Sequence, residues 1–106
     1  LRKDFEITCG EPANWPRKAA SGTVIPQRFC PDCGVRVFTE PPGGPHSLTI
    51  RPGTLDDTSW LHPVSAFWVG SAQPWVTFGE EVLKYEKQPT DFMPVMQAWK
   101  AWVEGP

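Results

Sequence analysis

The residues best suited to chemistry in this chain are Cys30-Pro31-Asp32-Cys33-Gly34. A two-residue spacer lets both thiolates face one tetrahedral ion, Pro31 presets the turn, and Gly34 permits the positive φ that follows. A thioredoxin-type redox pair would instead open a helix whose N-terminus lowers the first thiol's pKa. Here Val35-Arg36-Val37-Phe38 continues as strand. The favoured reading is therefore a metal-binding turn, with a redox pair or disulfide and a pair of inert thiols as the competing readings.

A structural zinc needs four ligands, and one cysteine pair supplies two. Cys9, His46 and His62 are the other soft or borderline donors in the chain. Cys9 reads as a small apolar filler on a half-buried strand. His46 follows a Pro-Gly loop and His62 precedes Pro63, positions of solvated or backbone-bonded imidazoles. The economical expectation is a second ligand pair upstream of Leu1, and the opening Leu1-Arg2-Lys3-Asp4, without Met, reads as a cut from the middle of something. Asp56 and Asp57 could act as general acid and base, but adjacent aspartates after Gly-Thr-Leu more often close a turn. Arg17, Lys18 and Arg28 could meet a substrate carboxylate, and solvated strand edges explain them equally well.

The elements that position these residues follow from periodicity. Phe5 to Cys9 alternates apolar and polar, predicting a first strand. Trp15 and Arg17 are hemmed in by proline, so only short edge pairing is expected there. Thr23 to Phe29 is extended, with Pro26 implying an edge, and it runs through the Cys30–Cys33 turn into a strand over Val35 to Thr39. Glu40 to Pro45 can only be a loop; His46 to Arg51 and Pro63 to Gly70 read as further strands, with a turn over Pro52 to Asp57 between them. Phe92, Val95, Met96, Trp99, Trp102 and Val103 share one helical face, predicting an amphipathic helix over 91–103 capped by Thr90 or Asp91. Trp99 and Trp102 are then core candidates, while Trp60, Trp68 and Trp75 stay open as pocket walls. The sum is one mainly β, mostly antiparallel domain over 1–106 with a C-terminal helix.

Composition narrows the partners. Thirteen Pro and nine Gly alternate with six Trp and six Phe, which is a turn-rich packed domain and not a disordered chain. The net charge is −2, and ten Lys and Arg scattered among twelve Asp and Glu leave no basic stripe for nucleic acid or an anionic membrane. No apolar run reaches the length of a membrane span and the N-terminus lacks a signal-peptide pattern, so a cytoplasmic location is expected.

The motifs fall in a recognisable order. Arg28-Phe29-Cys30-Pro31-Asp32-Cys33-Gly34, Pro52-Gly53-Thr54-Leu55-Asp56-Asp57, Pro74-Trp75-Val76 and Lys84-Tyr85-Glu86-Lys87-Gln88-Pro89 resemble the glutathione-dependent formaldehyde-activating enzyme family, which includes centromere protein V, over about Phe5 to Phe92. The chain is similar to the C-terminal two-thirds of that domain. The resemblance implies a zinc-associated antiparallel β fold of two small sheets, like that of Rab exchange factors and methionine sulfoxide reductase B. It also implies that Cys30 and Cys33 join an upstream Cys-x-Cys pair around a structural zinc, while a separate upstream Cys-rich stretch holds a catalytic zinc. The family reaction joins glutathione thiol to formaldehyde, or in reverse cleaves the carbon–sulfur bond of the adduct; a bound cation suits this by lowering a thiol's pKa and polarising an aldehyde oxygen. This chain matches two ligands of the structural ion and none of the catalytic one. The readings are a zinc-dependent carbon–sulfur lyase in the complete family protein, with glutathione as the small-molecule partner, or a non-catalytic zinc-stapled interaction module. Catalytic residues, substrate-binding residues and oligomeric state are not assigned.

Overall fold

The computed structural model describes residues 1–41 and 46–105, so most of the expected Glu40–Pro45 loop lies outside the described residues. The chain divides into two compact units, Leu1–Trp60 and Leu61–Pro106.

The first unit is built on a four-stranded sheet in the order β1-β2-β3-β4, with strands Ala13–Lys18 (β1), Val24–Phe29 (β2), Arg36–Thr39 (β3) and Thr49–Ile50 (β4), each antiparallel to its neighbour. Two expectations are corrected here. Phe5 to Cys9 forms no strand: a short 3-10 turn over Arg2–Asp4 leads into an irregular segment, and Cys9 is exposed on it. Alternation alone could not see that this segment packs on the sheet and does not extend it: Phe5 lies against Phe38 while β1 and β4 stay the outer strands. The second correction concerns proline. β1 is a full six-residue strand, and β2, despite Pro26, is central.

The pairing explains how. Pro16 lies directly opposite Pro26. The Pro26 carbonyl accepts the Glu40 N–H at 3.1 Å, so its polar groups face β3, and the Pro16–Pro26 pair is one of the wide pairs in which neither residue bonds across the β1–β2 seam. Neither missing N–H is therefore lost from that seam.

Phe38 is buried, at 6% exposure, and Phe5 packs on it with ring centroids 5.0 Å apart. Register puts Arg28 and Ile50 beside Phe38, so these three share a sheet face. Gln27, at 3% exposure, lies on the opposite face beside Trp15 and Thr39, and its side-chain oxygen has no hydrogen-bond partner among the described residues.

In the second unit the expected strand over Pro63 to Gly70 is reduced to Ser65–Ala66 (β5), which pairs in parallel with Leu83–Lys84 (β6), a strand the sequence pattern did not suggest. Trp68, in the left-handed region at φ 61°, ends the extended run, and a 3-10 turn over Val69–Ser71 follows. The backbone there runs tightly against the Tyr85–Lys87 stretch: a Cβ on Gly70 would lie 3.2 Å from the Glu86 carbonyl oxygen. Phe67 meets Tyr85 and Phe92 edge-on.

The helix α1 spans Met93–Glu104 with Pro94 in its first turn, and the Asp91 carboxylate accepts the Met93 N–H at 3.0 Å. Val95, Ala98 and Trp99 are half-buried, whereas Met96 and Val103 remain exposed. Trp102 is half exposed and stacks on His62, centroids 3.8 Å apart. No helix among the described residues is long and apolar enough to cross a membrane.

Candidate functional site

The hairpin between β2 and β3 carries the two cysteines. Its turn is closed by two backbone bonds of 2.8 Å: the Cys30 N–H donates to the Val35 carbonyl and the Gly34 N–H donates to the Cys30 carbonyl. Gly34 sits at φ +78°, a conformation in which an L side chain is strained. The wrap aims backbone donors at sulfur. The backbone N–H of Cys33, then that of Asp32, and then the Cys33 side chain bond the Cys30 thiol and hold it below its ordinary range, against the opposing effects of burial and the Asp32 charge. Both cysteines are free thiols, Cys30 half-buried and Cys33 exposed.

Of the other donors weighed from the sequence, Cys9 is exposed and lines a cavity together with Cys30. No third His, Cys, Asp or Glu among the described residues completes a metal-holding group with the pair. His46 is exposed, and its backbone carbonyl accepts the Arg2 N–H at 2.8 Å. Asp57 closes a turn: its carboxylate accepts the Ser59 hydroxyl at 2.6 Å and the Ser59 N–H at 2.9 Å, which lowers its pKa, the hydroxyl contributing most. That is the turn role expected of the Asp56-Asp57 stretch. Arg17 and Lys18 are exposed on the outer strand β1.

A cavity of about 350 Å³ adjoins the turn, lined by Cys9, Cys30, Asp32, Phe5, Ile7 and Phe38 among others. A second, of about 400 Å³, shares the Phe5, Ile7 and Phe38 walls and contains a charged cluster. There Glu40 bonds two guanidiniums, one carboxylate oxygen accepting from Arg2 and the other from Arg28, each at 3.2 Å. Arg2 and Glu40 were not singled out from sequence. The signal for Glu40 is register: it follows Phe38 by two residues on β3's line and so faces the same way as Arg28. Arg2 reaches the site only because the irregular N-terminal segment crosses this face, which no local pattern announces.

The arrangement defines a class: a small β domain whose hairpin turn carries two free cysteines beside a cavity with apolar walls. Comparison with known families goes one step further. The model of the glutathione-dependent formaldehyde-activating enzyme family matches residues 1–71, and the chain belongs to that family. The match covers the cysteine turn and the Pro52–Asp57 turn; the Pro74–Val76 and Lys84–Pro89 motifs lie beyond it. No curated protein and no solved structure was found to match.

Proposed function

We propose that this chain is a zinc-binding domain that serves carbon–sulfur lyase chemistry on the glutathione–formaldehyde adduct, with Cys30 and Cys33 as two of the metal's ligands. The observation that carries the metal reading is the pair of backbone N–H groups directed at the Cys30 sulfur, since they favour the thiolate, which is the form that ligates a metal. The donor set suits zinc in kind, two thiolates on one tight turn, and gives half of a tetrahedral shell. Zinc held by Cys30 and Cys33 would staple the β2–β3 hairpin, and zinc in general lowers a thiol's pKa and polarises an aldehyde oxygen. Gly34 and Pro31 hold the turn, the backbone N–H groups of Asp32 and Cys33 favour negative charge on Cys30, and Phe5, Ile7 and Phe38 line the adjoining cavity. Family membership supports glutathione and formaldehyde as the substrates.

Two measurements test this. Cobalt(II) substitution followed by absorption spectroscopy is expected to give thiolate-to-metal charge-transfer bands that disappear in Cys30→Ser and in Cys33→Ser; bands that survive both substitutions overturn the metal assignment. NMR exchange between glutathione and formaldehyde is expected to accelerate with the zinc-loaded protein. A spontaneous rate with metal bound would instead favour the zinc-stapled interaction module.

A further inference from the structure

We infer that the cavity around Arg2, Arg28 and Glu40 is the seat for a zwitterionic amino-acid head, the γ-glutamyl end of a thiol peptide, with Arg28 positioning its α-carboxylate. This rests on the proposed substrate class and adds to it the residues that orient the substrate.

The charge pattern comes first. The cavity is lined by two guanidiniums, Arg2 and Arg28, and two carboxylates, Glu11 and Glu40, so its formal charges cancel, with Glu40 bonded to both guanidiniums. A phosphate or a simple dianion gains little from such a site. A head group carrying both an ammonium and a carboxylate can satisfy both signs at once. Arg28 is suited to the carboxylate because guanidinium donors lie in a fixed fork that matches a carboxylate with two parallel bonds. Its bond to Glu40 occupies one Nη2 donor, and its side chain is 29% exposed, part-buried yet reachable from the cavity.

Position comes second. The charged cavity and the cysteine cavity are flanked by the same side chains, Phe5, Ile7, Phe38 and Glu11. Arg28 and Cys30 are two residues apart at the end of β2, roughly 7 Å along an extended strand. A peptide whose charged head rests at Arg28 thus has its sulfur end carried toward the cysteine turn along an apolar wall. Glu11 lines both cavities and is the carboxylate assigned to the ammonium of such a ligand.

The probe is S-methylglutathione, which cannot react with formaldehyde, titrated into the full chain and followed by ¹H–¹⁵N NMR. Shifts are expected at the Arg28 Nε–H and at the amides of Phe38 and Glu40. Arg28→Gln is expected to weaken binding about tenfold, as is converting the ligand's α-carboxylate to an amide; combining the two should cost no more than either alone. Equal affinity for the wild type and Arg28→Gln, additive losses, or shifts confined to other residues overturn the inference, and so does absence of binding. If Arg28→Gln does not fold, Arg28→Lys replaces it, with loss of discrimination between acid and amide as the expected readout. A purely structural ion pair would lower stability and leave that discrimination intact. Failure of the lyase reading is separable: a chain that binds the head group in this way yet gives no adduct exchange retains this site and loses the catalysis.

Discussion

Replacing Gly34 by alanine tests whether the cysteine turn is held by backbone conformation. An added Cβ meets nothing within 4 Å, so no steric clash contributes. The whole cost is then the left-handed conformation at φ +78°, about 1–2 kcal/mol for an L residue. For a domain of this size that corresponds to a fall in Tm of roughly 4–16 °C. Gly34→Asn should cost less, because asparagine tolerates this region by bonding its own backbone. Gly53→Ala is the control, since a Cβ there also meets nothing and its φ lies outside the left-handed range, so it should change stability by no more than about 0.5 kcal/mol. Urea unfolding of the metal-free protein, monitored by circular dichroism, gives all three values. Equal stability of Gly34→Ala and Gly53→Ala, or equal losses for alanine and asparagine at position 34, refutes the reasoning.

Two further outcomes are expected. Gln27→Met removes a buried amide whose oxygen has no partner among the described residues while keeping its length, and should raise the unfolding free energy, read from urea denaturation, by about 1 kcal/mol; a loss of that size would mean that the amide is satisfied in solution. Because Asp57 has a lowered pKa in the fold, the stability it contributes is present above its unfolded value and is lost as pH falls below about 4 through the folded value. Ser59→Ala should move the Asp57 carboxyl titration, read by ¹³C NMR, back toward the ordinary range, and an unmoved titration would rule out the hydroxyl as the main cause.

The cysteine turn was legible because everything that shapes it is local: Pro31, the two-residue spacer and Gly34 dictate a tight reversal, and β2 and β3 lie on either side as expected. The helix was legible for the same reason, its apolar spacing placing it within two residues of the observed start. What failed needed partners distant in sequence. Phe5 to Cys9 alternates as a strand would, but its hydrophobic residues serve as a cover over Phe38 and not as a ladder. Pro26 reads as an edge marker, yet β2 is central and Pro26 lies opposite Pro16. β6 is two residues long and is stabilised by bonds to the 64–66 stretch, so Leu83 and Lys84 carry no period of their own. The Arg2–Glu40–Arg28 cluster joins residues 38 and 12 positions apart, beyond the reach of any spacing rule.

The facing prolines also decide what the sheet's outer border can do. Because Pro16 belongs to a wide pair, its backbone nitrogen points away from β2, toward the side where another chain's strand would have to dock. That border offers outward N–H groups at Asn14 and Lys18 and none between them, and it carries the cations of Arg17 and Lys18. A six-residue ribbon with Trp15 in the open would otherwise invite growth into a multi-chain sheet; a ring in place of one hydrogen, midway along it, keeps the molecule from becoming a template for its own copies.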